Sequence, residues 1–342
     1  MFNDFRPSGL CDSGSATGEK NLSIRDLQYL GVQVAIQRAK NWENVTRSFK
    51  DYENFLDDIW IMESIYQESL IWYERFLCEQ GLCSGTNWPN RSFVGKEVLE
   101  HGQINFDSTK WYAGRKTRPR DLVRLYCLVY LPMHFSSSLC QMVLSKDLLT
   151  QRILDSRCRI QFVDLGCGPF TCGFALMSFL KQIDQSIDVD YVGIDVSRTM
   201  REQSLMFVNE RVKPNLSNVE LNATWFDSWE NYSKQFSPDM DSDTLTIFNF
   251  CYVLSSPSLK QSVRNIADHL TSLSRTSSII MHQNPKNRHS CWSEVRSMLR
   301  GFSHDRQCPT EFSFQFRDHC NTWNDAYSIE KQVACATLAT DY

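Results

Sequence analysis

The chain has 342 residues, 42% hydrophobic and 22% charged, which is ordinary for a globular protein and enough to bury a sizeable core, with two domains expected. Its net charge of −4 supplies no chain-wide attraction to nucleic acid, so any such contact has to come from a local basic patch. Thirteen cysteines occur without a C-x-x-C pair, several of them (Cys127, Cys140, Cys172, Cys251, Cys335) inside apolar runs, so neither a disulfide scaffold nor a metal site is expected. No run reaches the roughly 18–20 apolar residues of a membrane span and the first residues are polar, so the chain is expected to have no membrane association and to be cytoplasmic.

In chain order, residues 1–22 are rich in Ser, Gly, Asn and Asp and read as a flexible tail. A helical, aromatic-rich domain is expected over 23–150. Ser23 can cap a helix over Ile24–Arg38, and apolar steps of three and four residues predict another from Asp51 to about Glu79. Residues 80–110 carry many glycines, asparagines and a proline and read as a long loop. Helical spacing returns from Arg120 to Ser145, with Pro132 expected to kink or interrupt it.

A second domain is expected over 151–342, and from about residue 159 the pattern becomes alternating strand and helix. Strands are predicted at Ile160–Leu165, Tyr191–Asp195, Val219–Trp225, Thr244–Phe250, Ser278–His282, Phe312–Arg317 and Ser328–Leu338. Helices are predicted at Thr171–Gln182, Thr199–Asn209, Ser258–Leu273 and Ser290–Leu299. The fold class is therefore α/β: a Rossmann-like, mostly parallel, seven-stranded sheet with an antiparallel edge strand, preceded by the helical domain.

The chemistry is concentrated at Phe162-Val-Asp164-Leu-Gly166-Cys167-Gly168-Pro169 and at Tyr191-Val-Gly193-Ile-Asp195-Val196-Ser197. Two apolar runs end in aspartates, and the first is followed by a tight Gly-x-Gly turn that lets backbone approach a ligand closely. Asp195 can accept hydrogen bonds from a ribose diol. The dinucleotide fingerprint G-x-G-x-x-G is not met, since position 171 is Thr, and no P-loop occurs. Asp164 just before the turn would repel a phosphate and suits a ligand with a positive end. S-adenosylmethionine (SAM) has an α-amino group and a sulfonium, and no phosphates.

Asp164-Leu-Gly-Cys-Gly-Pro resembles motif I of the class I SAM-dependent methyltransferases, and Gly193-Ile-Asp195-Val-Ser resembles their motif II. The resemblance covers roughly 155–340 and implies SAM as cofactor and methyl transfer as activity. It implies that Asp164, Gly166, Cys167, Gly168 and Pro169 shape the pocket for the methionine half. It also implies that Asp195 and Val196 hold the ribose end and that Phe226 and Asp227 meet the adenine. Asn249, Phe250 and Tyr252 close the fourth strand, where that family lines the reacting centre. Asn249 could orient an acceptor amine, Tyr252 could stack on a base, and His282 at the next strand end could act as a base. One departure stands out: Phe170 takes a place where the family usually has a small residue.

Lys110, Trp111, Tyr112, Arg115, Lys116, Arg118 and Arg120 form a basic, acid-free stretch with two stacking rings, placed by Gly114 and Pro119 on a loop ahead of a helix. Cations for phosphates and aromatic faces for bases are what a nucleic-acid contact needs. The junction Tyr130-Leu-Pro-Met-His134-Phe135, with Arg198-Thr199-Met200 and Tyr252-Val-Leu-Ser255, is similar to the small-ribosomal-subunit methyltransferase-like family. The expected partners are RNA or a ribonucleoprotein, and a protein partner through the helical N-terminal domain. A methyltransferase for a small molecule or protein, and an inactive SAM-binding scaffold, are the alternatives.

Overall fold

A computed structural model describes residues 94–340 except 113–114, 182, 184, 236–242, 257–258, 260, 275, 287–289, 306–307 and 319–326. The tail and the two helices expected before residue 80 lie outside the described residues.

The basic stretch is not the loop the sequence suggested. Lys110–Tyr112 (β1) and Arg115–Thr117 (β2) form an antiparallel hairpin, with Trp111 opposite Lys116. Helix α1 (Pro119–Val129) follows at once, with Pro119 in its first turn and the Asp121 carboxylate accepting from the Arg118 amide at 3.3 Å. The helical run then breaks at Tyr130, and α2 (Leu131–Leu144) leaves at a bend of 50°. Pro132 has no amide to give to the preceding turn, so this break follows from covalent structure. A third helix, α3 (Lys146–Asp155), leads into the sheet.

The strands are β3 (Arg159–Leu165), β4 (Ile187–Ile194), β5 (Val219–Phe226), β6 (Leu245–Cys251), β7 (Ser278–Pro285), β8 (Phe302–His304), β9 (Glu311–Asp318) and β10 (Tyr327–Thr340). Their connections include α4 (Thr171–Leu180), α5 (Arg198–Phe207), α6 (Trp229–Gln235), α7 (Val263–Ser272) and α8 (Trp292–Met298). Strands pair in the order β5-β4-β3-β6-β7-β10-β8, with β9 also on β10. β3 to β7 are parallel, and β10 is antiparallel to each of its neighbours. One detail differs from expectation: the sheet has eight strands, the three-residue β8 being too short to show periodicity. The expected antiparallel edge is present, formed by β10 against β7 with β8 and β9 each paired to β10.

Side-chain alternation along each strand divides the core in two. Ile160, Phe162, Tyr191, Ile247 and Met281 face α2 and α4 on one side. Val163, Val192, Phe248, Phe250 and Ile280 face α7 and α8 on the other. Buried Gln141 pins α2 across the first face: its amide donates to Ala336 O at 3.1 Å and to Thr337 Oγ1 at 3.2 Å. The expected buried thiols are found, since Cys127, Cys140, Cys172, Cys251 and Cys335 are all free and buried. Among the described residues no single helix is long and apolar enough to cross a membrane.

Candidate functional site

Strand order reverses at β3, whose neighbours β4 and β6 lead away in opposite directions. Ligands of open α/β sheets bind beyond the carboxyl ends of the strands at such a point. This is a Rossmann-like domain. Asp164, the Gly166–Gly168 turn, Asp195 and Asn249 all fall at that point.

The turn is built by glycine. Gly166 and Gly168 have φ of 71° and 50°, and a Cβ on Gly166 would sit 2.6 Å from a Val253 methyl. Asp164 is fully buried. Its Oδ1 accepts from Asn249 Nδ2 at 2.7 Å and its Oδ2 from the Tyr191 hydroxyl at 2.9 Å. Burial raises its pKa to about 7; those two hydrogen bonds pull the other way, and the charge of Asp195 adds to the rise. Asn249, expected to orient an acceptor amine by its side-chain carbonyl, gives its N–H to Asp164, a bond that does not use the carbonyl oxygen.

Asp195 is half-buried and bridges the two motifs. Its Oδ2 accepts from the Gly168 amide at 3.0 Å and its Oδ1 from the Ser197 amide at 2.9 Å. Burial raises its pKa too, opposed by those amides and by the Arg201 cation. The cap of α5 is Ser197, whose hydroxyl accepts from Met200 N at 3.1 Å. Both carboxylates therefore carry an energetic penalty that a cation would relieve.

Phe170 lies at the N-cap of α4 with φ 70°, a left-handed conformation that favours glycine. Its ring does not enter the turn. It is fully buried, 4.5 Å from the Tyr191 ring centre and 5.3 Å from that of Phe174. It lies so tightly on Gly173 that a Cβ there would come within 2.4 Å of it. The missing side chain at 173 makes room for the one gained at 170.

Several expected site residues turn inward. Cys167 is buried beside Gly193, where an added Cβ would lie 3.0 Å from its sulfur, and burial pushes its thiol pKa well up. Pro169 is buried. Phe226 and Phe250 belong to the second core, against Tyr232 and Trp229 respectively, because alternation sends them to the face opposite Asp164. Val196 is 79% exposed and is the apolar side chain the rim presents beside Asp195. Asp227 is exposed and tied locally to Asn231 Nδ2 (2.6 Å) and the Ser228 hydroxyl (3.1 Å), which lower its pKa.

His282 does not end its strand, since β7 runs on to Pro285. It is buried and stacked on Trp292 at 4.4 Å, and burial lowers its pKa to about 3. A base that weak takes no proton near neutral pH. His282 also belongs to the Phe250 face of the sheet, across from Asn249.

One group was not expected as a site. Tyr126, Tyr130 and His134 recur at four-residue steps along α1 and α2, and His134 stacks on Tyr252 with ring centres 4.4 Å apart. The Tyr126 hydroxyl pairs with His134 Nδ1 at 3.2 Å. Its ring lies over the motif I turn, 3.7 Å from where a Gly168 Cβ would be. Burial, and after it the charge of Asp195, hold its phenol well above the usual range. This column joins the helical layer to the end of β6, where Tyr252 takes φ 61°. The i, i+4, i+8 spacing was the available signal.

The hairpin presents Trp111, 70% exposed, beside exposed Lys116, Arg118 and Arg120. Lys110 is otherwise engaged, pairing with Glu100 and donating to Val98 O at 3.3 Å. The side chains of Tyr112 and Arg115 are not among those described.

No protein-family model and no curated protein matches this chain. Solved structures do. One is an arsenic(III) S-adenosylmethionine methyltransferase of Chlamydomonas reinhardtii, with 10% identity, 53% of this chain and 62% of that one covered, and a TM-score of 0.28. Another is a 16S rRNA (adenine(1408)-N(1))-methyltransferase of Catenulisporales acidiphilia, with 11%, 56%, 89% and 0.30 in the same order. A third is an O-methyltransferase family protein of Burkholderia thailandensis, with 11%, 73%, 70% and 0.34. The chain thus spans less than two thirds of the arsenic enzyme's length. At these identities and TM-scores nothing about activity passes from those proteins to this one.

Proposed function

We propose that this chain binds S-adenosylmethionine and transfers its methyl group, with RNA as the acceptor. The observation that carries the reading is the pair Asp164 and Asp195 around a glycine turn at the switch point. Two carboxylates whose charged forms are penalised by burial suit a cationic, ribose-bearing ligand without phosphates.

Asp164 would face the α-amino end, Asp195 the ribose hydroxyls and Val196 the apolar adenine face, while Gly166 and Gly168 allow the close backbone approach. Bound, the cofactor supplies an electrophilic methyl on a sulfonium. The chain's own part is to hold donor and acceptor in line, which supplies most of the rate in such a transfer. Tyr126, over the turn, and Tyr252, stacked on His134 at the end of β6, would wall the acceptor side. The inward fold of Phe170 keeps its ring out of the turn, which supports a turn able to take a ligand. Trp111, Lys116, Arg118 and Arg120 offer a stacking face and cations for a nucleic-acid chain, and a protein partner on the N-terminal helical domain belongs to the same reading.

A small acceptor enclosed by the helical layer is the second reading, favoured by Tyr126 lying over Gly168. Incubating the full chain with methyl-labelled SAM and, separately, total RNA, DNA and a small-molecule extract separates the two. Label in RNA that Asp195→Ala abolishes supports the first; label only in the extract supports the second.

A further inference from the structure

Asp107 lies far from both motifs in the sequence, yet it grips the helix that follows motif II. Its Oδ1 accepts from the Thr199 amide at 2.8 Å and from the Ser197 hydroxyl at 3.0 Å, and its Oδ2 from the Arg198 amide at 2.9 Å. Burial draws its pKa up, but the Thr199 and Arg198 amides and the Thr199 and Ser197 hydroxyls outweigh that, and the net shift is downward. The carboxylate is thus ionised and complements the positive end of α5.

The contacts run on in an unbroken chain. Ser197, held by Asp107, donates its amide to Asp195 Oδ1, and Asp195 Oδ2 takes the Gly168 amide. Those two amides are what fix the rotation of the Asp195 carboxylate. The segment bearing Asp107 is itself anchored, since Ile104 and Phe106 are buried and the Phe106 ring meets Tyr126 edge-on at 5.6 Å. One amide on one side of Asp195 is therefore positioned from outside the Rossmann-like domain.

We infer that Asp107 is a positioning residue for the cofactor's ribose: it holds Ser197, and through it turns Asp195 to receive the hydroxyls. The inference rests on the SAM-binding reading above. It makes the segment before α1 a working part of the cofactor site. It also predicts a penalty that depends on the ligand. Loss of Asp107 weakens ligands that use Asp195 and spares ligands that do not.

The test is calorimetry of the full chain with S-adenosylhomocysteine and with its 2′,3′-dideoxy analogue, well below the melting temperature. Asp107→Ala is expected to weaken S-adenosylhomocysteine about five- to tenfold, the scale of one positioned hydrogen bond. The same variant should change the 2′,3′-dideoxy analogue, which has no hydroxyl to give Asp195, less than about twofold. Asp107→Asn keeps an acceptor for the α5 amides and should restore most of the affinity, which also guards against misfolding of the alanine variant. A purely structural Asp107 would lower stability and affect both ligands alike; equal losses, or wild-type affinity in Asp107→Ala, overturn the inference. A wild-type protein that binds neither ligand overturns the cofactor reading, and the inference falls with it.

Discussion

Phe170 and Gly173 should be energetically coupled, and the sign of the coupling is fixed by the packing. The Phe170 ring is fully buried and three of its carbons would lie 2.4–2.6 Å from a Cβ placed on Gly173. Gly173→Ala therefore overpacks the core, at a cost of about 1–3 kcal/mol. Phe170→Ala leaves a cavity between Gly173, Phe174 and Tyr191 and should cost about 3–5 kcal/mol. In the Phe170→Ala background the obstruction is gone. There Gly173→Ala fills part of the cavity and gains about 1 kcal/mol of helix propensity. One substitution should thus destabilise the native protein and stabilise the variant, a coupling of roughly 2–4 kcal/mol. Urea unfolding of the four proteins measures it. The same cost for Gly173→Ala in both backgrounds would refute the inward placement of Phe170. SAM affinity of Phe170→Ala, measured where that protein is folded, should stay within about twofold of wild type because the ring does not line the turn.

Asp164 gives a pH dependence with a defined sign. Its folded pKa of about 7 lies above the unfolded value of ~3.9, so its stability contribution is fully present below pH ~4 and is lost as pH rises through 7. Melting curves should show Asp164→Asn removing that loss, while SAM affinity of the native protein climbs from pH 6 to 8. His282 has the opposite direction of shift, to about 3, so its neutral burial favours the fold above the unfolded pKa of ~6.5 and costs stability as pH falls below it. His282→Phe should reduce acid sensitivity in the same melts and leave SAM binding unchanged. Charge reversal of Lys116, Arg118 and Arg120 should lower RNA affinity and flatten the slope of log K against log salt by about 2. An RNA affinity unaltered in filter binding counts against the hairpin as the contact.

Much of the fold was legible because hydrophobic period and glycine placement are local signals. Five parallel strands, the turn after Asp164 and the second aspartate could be read directly. β8 could not, having three residues. The site was legible where the backbone carries it and misread where side-chain direction decides. Phe226, Phe250 and His282 sit at or near strand ends, but alternation turns them to the face opposite Asp164 and Asn249. Val196, one residue past Asp195, is the exposed one. Asp107 and the Tyr126–His134 column act across the junction of helical layer and sheet, and no periodicity within one segment reports such a contact. Where the Phe170 ring goes could not be read at its own position; the absent side chain at Gly173 explains it.

The central claim is that the turn between Asp164 and Asp195 holds S-adenosylmethionine. Isothermal titration of the full chain with SAM, beside Asp195→Ala, tests it most directly. Micromolar binding by the native protein that is lost in the variant is the expected result. Heat-silent titration of a folded native protein, confirmed by an unchanged melting temperature at millimolar SAM, would contradict it.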